Sequence, residues 1–232
     1  MQDRPITTLY MLMSVDGKIS TGDTNEMDVD KDFPNIPGVS EGLHQYYDIE
    51  KTTDYFSLNS GKVFAKIGFN NRDIPQVKIP VVFVVIDNKP HLTEKGINYL
   101  SKLSEKVVVV TTNNSHPAKS ASGILENIEI LQYEQKIDFV DMFKKLKTQF
   151  GAERVTIQSG GALNSEFLKL GLIDNLSIVV APILIGGKNT PSLIDGESLH
   201  VVEDLQNIRA LKLENVDVLE NSYLHLKYKV IN

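Results

Sequence analysis

The segment YMLMSVDGKIS, residues 10–20, places a carboxylate and an ammonium group two positions apart, on either side of Gly17. Side chains at i and i+2 of an extended chain lie on the same face, so Asp16 and Lys18 can act on one ligand. Such a pair can orient a substrate, donate or accept a proton, or bind a phosphate. The ammonium group can also set the charge state of the carboxylate. The alternative is a strand-end turn with two solvated charges.

A second segment, VTIQSGGALNSEF at residues 155–167, changes from an apolar run to an amphipathic helix at Gly160 and Gly161. A helix that begins directly after a strand presents backbone N–H groups without intrahelical partners, and these groups bind anions. Two glycines leave no Cβ between a diphosphate and the main chain. The segment fits a phosphate site, and it equally fits a tight turn that needs only the dihedral freedom of glycine.

Other chemistry is excluded by residue type or spacing. The sequence has no cysteine, and therefore no disulfide, thiolate nucleophile or zinc–thiolate site. Its five histidines are scattered without ligand spacing, which predicts no metal site. The dinucleotide fingerprint G-x-G-x-x-G and the P-loop are both absent, so nucleotide binding would require a different fold.

Strands and helices alternate along most of the chain, which predicts an α/β layer architecture. The β-branched runs at residues 81–86 and 107–112 lack polar alternation, as is typical of strands buried on both faces of a parallel sheet. Further strands are predicted at residues 7–14, 128–133, 154–158 and 176–185, and helices at residues 40–53, 93–105, 138–151 and 162–172.

The end of the chain has a different pattern. Residues 210–231 alternate apolar and polar side chains in two runs, with a turn near residues 220–222, and predict an antiparallel hairpin at the sheet edge. The polar stretch at residues 21–39 predicts a surface loop close to the site. No linker or repeat divides the sequence, so we expect one domain over residues 1–232.

Charge and hydropathy limit the partners. The net charge is −6 and no basic face is visible, so nucleic acid is not an expected partner. No apolar run approaches the roughly 20 residues that a membrane span needs. The N-terminal residues have no secretory pattern, which predicts a cytoplasmic location.

The chain resembles the dihydrofolate-reductase-like superfamily, and within it the reductase domain of riboflavin biosynthesis, the RibD C-terminal domain. SVDGKIS at residues 14–20 is similar to the family motif S-[LVA]-D-G-[KR]-[IT]-[AS]. Residues 157–187, IQSGGALNSEFLKLGLIDNLSIVVAPILIGG, follow its pattern E-G-G-G-T-L-N … G-L-[IV]-D-E … A-P-x-[LI]-x-G-G. The resemblance implies a mostly parallel sheet flanked by helices with a C-terminal hairpin, as the residues themselves predict.

The resemblance also implies an NADPH-dependent reductase that opens the ribose of a phosphoribosylaminopyrimidine to a ribityl chain, and a homodimer. It implies Asp16 and Lys18 as catalytic residues, and Ser14 and Gln158 as substrate contacts, with Gln158 at the family's glutamate position. The implied cofactor contacts are Ser159, Gly160, Gly161 and Ala162 with the diphosphate, Asn59 and Ser60 beside the nicotinamide, and Asp87, Asn88, Thr111 and Thr112 along the adenosine.

Two other functions stay open. A reductase of the same fold could act on dihydrofolate or another pterin, with Glu41 or Glu50 as the acidic residue that holds the ring. A dimer that binds a nucleotide without catalysis is favoured only by two departures from the family pattern. Gln158 replaces an acidic residue, and the D-D-P that usually follows the turn at Ser60 is absent. The sequence does not separate NADPH from NADH, because Thr111, Thr112, Lys89 and Lys119 are all candidates for a 2′-phosphate contact.

Overall fold

The computed structural model describes residues 3–231, which form nine strands and seven α-helices. The strands are β1 (Ile6–Ser14), β2 (Phe56–Ser60), β3 (Ile79–Ile86), β4 (Ser104–Thr111), β5 (Ile128–Gln132), β6 (Arg154–Ile157), β7 (Asn175–Ala181), β8 (Ala210–Val218) and β9 (Leu224–Ile231). The helices are α1 (Val29–Asp32), α2 (His44–Glu50), α3 (Gly61–Lys66), α4 (Glu94–Leu103), α5 (Ala118–Ser122), α6 (Phe139–Phe150) and α7 (Gly161–Lys169).

These elements divide into two compact units. The first unit comprises residues 3–5 and 54–159, and its five strands are parallel in the order β5-β4-β3-β2-β6. Val84, Val85 and Val107 are completely buried, as the unbroken β-branched runs predict. Since all five strands run in one direction, the loops after their C-terminal ends lie at the same edge of the sheet.

The second unit comprises residues 6–53 and 160–231, with β1 parallel to β7, β7 antiparallel to β9, and β9 antiparallel to β8. Its core contains Tyr10, Leu12, Phe33 and Tyr223. Phe33 comes from residues 21–39, which we expected to form a loop. The structure instead shows α1 and a 3₁₀ turn there, because burying Phe33 holds this stretch against the core.

The predicted α/β class is confirmed, with mostly parallel strands, flanking helices and an antiparallel C-terminal hairpin. The helix predicted over residues 93–105 ends earlier, at Leu103, because Ser104 Oγ donates to Leu100 O at 2.8 Å and the chain then enters β4. The strand predicted over residues 176–185 ends at Ala181, before Pro182. Within residues 3–231, no helix combines the length and apolar character that crossing a bilayer requires.

Candidate active site

The turn after β1 is built around the carboxylate of Asp16. Its Oδ1 atom accepts hydrogen bonds from Ser14 Oγ at 2.6 Å and Ile185 N at 3.1 Å, and its Oδ2 atom accepts one from Gly186 N at 2.6 Å. The hydroxyl of Ser14, followed by the two amides, lowers the pKa of Asp16 to about 2. Asp16 is therefore ionised at neutral pH and can orient a ligand, but it has no proton to donate.

We expect the Asp16→Asn variant to lose a stabilisation that depends on pH. The pKa of Asp16 lies below its ordinary value of 3.8, so the ionised carboxylate stabilises the folded chain fully above that value. The contribution is lost as the pH falls toward about 2. Urea unfolding should separate the wild type from Asp16→Asn at neutral pH, and the separation should shrink at about pH 3. An equal separation at both pH values would contradict this assignment.

Lys18 belongs to the same turn but makes different contacts. Its ammonium group donates to Thr190 O at 2.9 Å, and its backbone forms an antiparallel bridge with Ser192. The pKa of Asp16 is lowered by Ser14 and by the amides of the residues after β7, so these groups, and not Lys18, set its charge. A phosphate-binding role for the half-buried Lys18 stays a prediction.

Helix α7 begins at Gly161, and its N-cap residue is Gly160, which has no side chain to cap the first amides. A Cβ built on Gly160 would have no atom within 4 Å. The φ of Gly160 is −71°, a value that any residue adopts, so neither crowding nor backbone strain requires glycine here. Ala162, in the first turn, is exposed. The open side of Gly160 and the uncapped amides suit an approaching anion.

At Gly161, neighbouring protein atoms leave no room for a side chain. A Cβ there would lie 2.2 Å from Ser192 O and 2.4 Å from Asp195 Oδ2. Asp195 N also donates to Gly161 O at 3.1 Å. The segment from Ser192 to Asp195 therefore occupies the space beside Gly161.

The two glycines should respond differently to alanine. We expect Gly161→Ala to lower the free energy of unfolding by about 1–3 kcal/mol through overpacking. Gly160→Ala is the matched control. Because its Cβ enters open space, we expect the free energy of unfolding to change by no more than about 0.5 kcal/mol. Urea unfolding measures both variants, and equal stabilities would show that the contact with Ser192 is not tight.

In the first unit, polar side chains follow β2 and β6. Ser57 Oγ donates to Gln158 Oε1 at 2.9 Å, which links β2 to the end of β6. Asn59 Oδ1 accepts from Ser60 N at 2.8 Å, so Asn59 would meet a ligand as a hydrogen-bond donor. Ser60 Oγ accepts from Val63 N at 3.3 Å and caps α3. Ser159 is completely buried.

Asp87, directly after β3, directs its carboxylate into the first unit, where its side chain has no exposed surface. The carboxylate accepts hydrogen bonds from His91 Nδ1 at 2.8 Å and from His91 N, Leu92 N and His116 Nε2, each at 3.1 Å. A Cβ on Gly61 would lie 2.2 Å from Asp87 Cγ. This one side chain thus joins the loops that follow β3 and β4 and packs against the start of α3, which directly follows β2.

The charge of Asp87 is set by opposing effects. Burial raises its pKa, but the hydrogen bonds from His116, His91 and Leu92 N outweigh burial and lower the pKa below its ordinary value. His116 Nδ1 accepts from Ala118 N at 3.1 Å, so its proton must be on Nε2, facing Asp87. Both histidines therefore belong to a network that keeps the carboxylate ionised.

The other predicted adenosine contacts divide into buried and accessible residues. Thr111 is completely buried and its Oγ1 atom donates to Asp87 O at 2.8 Å. Asn88 is exposed, and its Oδ1 atom accepts from Thr112 N at 2.9 Å and Thr112 Oγ1 at 3.3 Å. A ligand at this edge would therefore meet Asn88 and Thr112, whereas Asp87 and Thr111 act inside the protein.

Several residues of these networks were missed by the sequence reasoning. His91 and His116 have no ligand spacing in the sequence. His91 reaches Asp87 within the loop after β3, whereas His116 reaches it through the pairing of β3 with β4. Among residues 3–231, no group of three or more His, Asp or Glu side chains could hold a metal ion. Glu41, considered for a pterin ring, is exposed and accepts a hydrogen bond from Gly38 N at 2.9 Å.

Comparison with known proteins gives consistent matches. Residues 5–224 match the family described as the RibD C-terminal domain. The 2,5-diamino-6-ribosylamino-4(3H)-pyrimidinone 5′-phosphate reductase of Methanothermobacter thermautotrophicus is 25% identical over 224 residues, which are 95% of this chain and 93% of the relative. The riboflavin biosynthesis protein RibD of Bacillus amyloliquefaciens is 23% identical over 91% of this chain and 55% of its own.

A solved structure of Acinetobacter baumannii RibD has the same fold, with a TM-score of 0.69 at 18% identity. The match covers 100% of this chain and 59% of that one. The chain therefore spans nearly all of the Methanothermobacter relative and a little over half of the RibD proteins.

Proposed function

This chain belongs to the RibD C-terminal domain family, and from that premise we propose that it is a pyrimidine reductase of riboflavin biosynthesis. The proposed reaction adds one hydride from NADPH and one proton to the ribosyl group of a phosphoribosylaminopyrimidine, which opens the ribose to a ribityl chain. The Methanothermobacter reductase, matched over nearly the full length of both chains, supports this choice of substrate class.

The observation that carries the proposal is the start of α7. Gly160 leaves the first amides of the helix without a side-chain cap, and the space beside it is open. These amides and the positive end of the helix dipole fit a diphosphate. We assign Ser159, Gly160, Gly161 and Ala162 to this part of the cofactor.

Within the first unit, we propose cofactor contacts at the ends of β2, β3 and β4. Asn59 would donate a hydrogen bond beside the nicotinamide, and Ser60, which caps α3, would lie next to it. Asn88 and Thr112 would meet the adenosine, with Asp87 and Thr111 holding their loops in place. A bound nicotinamide supplies the hydride, so the protein has to orient its partner and exclude water.

Asp16, Lys18, Ser14 and Gln158 are assigned to the substrate. The ionised Asp16 would orient hydroxyl or amino groups, and Ser14 keeps that carboxylate in position. Lys18 is suited to the substrate phosphate, and Gln158 is proposed as a further substrate contact. Because the pKa of Asp16 is about 2, the proton consumed in the reduction must come from water or another group.

The experiment is turnover of three candidate substrates by the full chain with NADPH. We expect consumption of NADPH with 2,5-diamino-6-ribosylamino-4(3H)-pyrimidinone 5′-phosphate or its deaminated form, and none with dihydrofolate. Turnover of dihydrofolate alone would replace the proposal with a pterin reductase. NADPH binding without turnover of any substrate would favour a nucleotide-binding protein. The preference for NADPH over NADH, the homodimer and the cytoplasmic location stay predictions.

A further inference from the structure

Residues 190–195, which we call the bridging segment, contact the turn after β1. Leu193 N donates to Gly17 O at 3.1 Å. Gly17 directly precedes Lys18, whose ammonium group donates to Thr190 O at 2.9 Å. The bridging segment therefore holds both the backbone of this turn and one of the side chains that we assign to the substrate.

The bridging segment also contacts the first turns of α7. Asn164 is completely buried, and its Nδ2 atom donates to Leu193 O at 2.8 Å. Asp195 N donates to Gly161 O at 3.1 Å. Leu193 is thus bonded in two directions, by its N–H group to the turn after β1 and by its carbonyl group to α7. These bonds connect the helix assigned to the cofactor diphosphate with the turn assigned to the substrate.

Glycines with positive φ flank the bridging segment. Gly186 and Gly187 lie shortly before it, with φ of 73° and 83°, and Gly196 follows it directly, with φ of 129°. Because glycine has more conformational freedom than any other residue, holding the segment against both of its neighbours costs conformational entropy. A ligand that fixes one neighbour reduces the entropy that is lost when a second ligand binds.

The start of α7 lacks the side-chain cap that would hold its first turn. Its N-cap residue is Gly160, and the first amides of a helix have no intrahelical partner. A diphosphate bound to these amides would hold the first turn, and with it Gly161 and Asn164. The bonds from these two residues would then hold the bridging segment at Leu193 and Asp195.

We propose that Asn164 is a positioning residue of the reductase. Through Leu193, it transmits cofactor binding at α7 to the turn that carries Asp16 and Lys18, so each ligand strengthens the binding of the other. This inference rests on the proposed function, because it uses the cofactor and substrate assignments made there. It does not require Asn164 to touch either ligand.

The test measures the affinity for the pyrimidine with and without a fragment of the cofactor, by isothermal titration calorimetry. The fragment is 2′-phospho-ADP-ribose, which has the diphosphate of NADPH but no nicotinamide. It transfers no hydride and brings no nicotinamide against the pyrimidine. We expect the saturating fragment to lower the Kd of 2,5-diamino-6-ribosylamino-4(3H)-pyrimidinone 5′-phosphate, or of its deaminated form, about tenfold. The pyrimidine should lower the Kd of the fragment by the same factor.

Two variants test the role of the Asn164 amide. Asn164→Leu keeps a similar side-chain size but leaves Leu193 O without its donor, so we expect the tenfold effect to fall below about twofold. Tyr223→Phe is the matched control. Tyr223 Oη donates to Val39 O at 2.7 Å, so this variant also removes a buried side-chain donor from a backbone carbonyl of the second unit, away from the bridging segment. It should keep the tenfold effect.

Amide hydrogen exchange, followed by NMR, tests the same link in the wild-type chain without a substitution. Ile19 N donates to Pro191 O at 3.0 Å, so the amides of Ile19 and Leu193 report on the bonds between the bridging segment and the turn after β1. The fragment is assigned to α7, yet we expect it to slow exchange of both amides about threefold or more. Unchanged exchange of both amides with the fragment bound would overturn the inference.

The calorimetric outcomes separate this inference from the proposed function. If the chain binds both ligands but the fragment leaves the pyrimidine Kd unchanged, the inference is wrong and the proposed function stands. A folded Asn164→Leu variant that keeps the tenfold effect would also overturn the inference. A wild-type chain that binds neither ligand would overturn the proposed function and this inference together.

Discussion

The Gly160→Asp variant is expected to bind NADPH about 100-fold more weakly than the wild type, a loss of about 2.7 kcal/mol, while remaining at least as stable. Gly160 has φ −71° and ψ 158°, an extended N-cap conformation in which aspartate is strongly favoured. The new carboxylate would accept hydrogen bonds from the first amides of α7 and repel the diphosphate proposed to bind them. Fluorescence titration measures the affinity, and urea unfolding measures the stability.

Two control variants separate the effect of the added negative charge from the effect of a new helix cap. Gly160→Asn caps the helix without a charge, so we expect an intermediate loss of affinity of about tenfold. Gly123→Asp adds the same charge at an exposed glycine after α5, where the nearest atom to a Cβ is Ser120 O at 3.7 Å, and should leave NADPH affinity unchanged. If Gly160→Asp is folded and binds NADPH as the wild type does, the diphosphate does not bind at α7.

The Asp87→Ala variant is expected to lower the free energy of unfolding by about 3–5 kcal/mol. Its carboxylate is the common acceptor for His91, Leu92 N and His116 Nε2, and alanine would leave the last two donors unpaired in a buried site. Since the loops after β3 and β4 and the start of α3 meet at Asp87, NADPH affinity should fall as well. Urea unfolding gives the stability change.

Two further variants test whether the loss of stability comes from the buried hydrogen bonds of Asp87. Asp87→Asn retains the shape of the side chain but turns its NH₂ group toward one of the surrounding hydrogen-bond donors. We therefore expect a smaller loss in the free energy of unfolding, about 1–3 kcal/mol. This variant should stay folded well enough for titration with NADPH. Asp48→Ala removes an exposed aspartate paired with Lys51 at 2.8 Å, and should change stability by less than about 0.5 kcal/mol. Similar stabilities of Asp87→Ala and Asp48→Ala would show that the buried network contributes little.

Local sequence signals predicted those parts of the fold that depend on neighbouring residues. The β-branched runs became β3 and β4, and Thr93 and Asp138, the first residues of two predicted helices, cap α4 and α6. Gly151, with φ 73°, ends α6 in the left-handed conformation that glycine adopts readily. The turn into α7 was predicted because a strand, two glycines and an amphipathic run are adjacent in the sequence.

The parts that were not predicted depend on distant contacts. The position of Asp87 after a strand indicated the edge of the sheet, but its inward direction depends on His91 and His116, which come from two different loops. The crowding at Gly161 comes from Ser192 and Asp195. The break in alternation at Glu214–Asn215 is visible in the sequence. Only the register of β8 with β9 shows that the apolar residues on both sides of it share one face of the sheet, namely Leu211, Leu213, Val216 and Val218.

The most direct measurement uses NADPH carrying deuterium at the transferable position of the nicotinamide ring. The chain is incubated with this cofactor and 2,5-diamino-6-ribosylamino-4(3H)-pyrimidinone 5′-phosphate or its deaminated form, and the product is analysed by mass spectrometry. We expect one deuterium in a newly formed ribityl chain, with no transfer in reactions lacking the protein. If folded protein that binds NADPH yields no deuterated product from either pyrimidine, the chain is not a pyrimidine reductase.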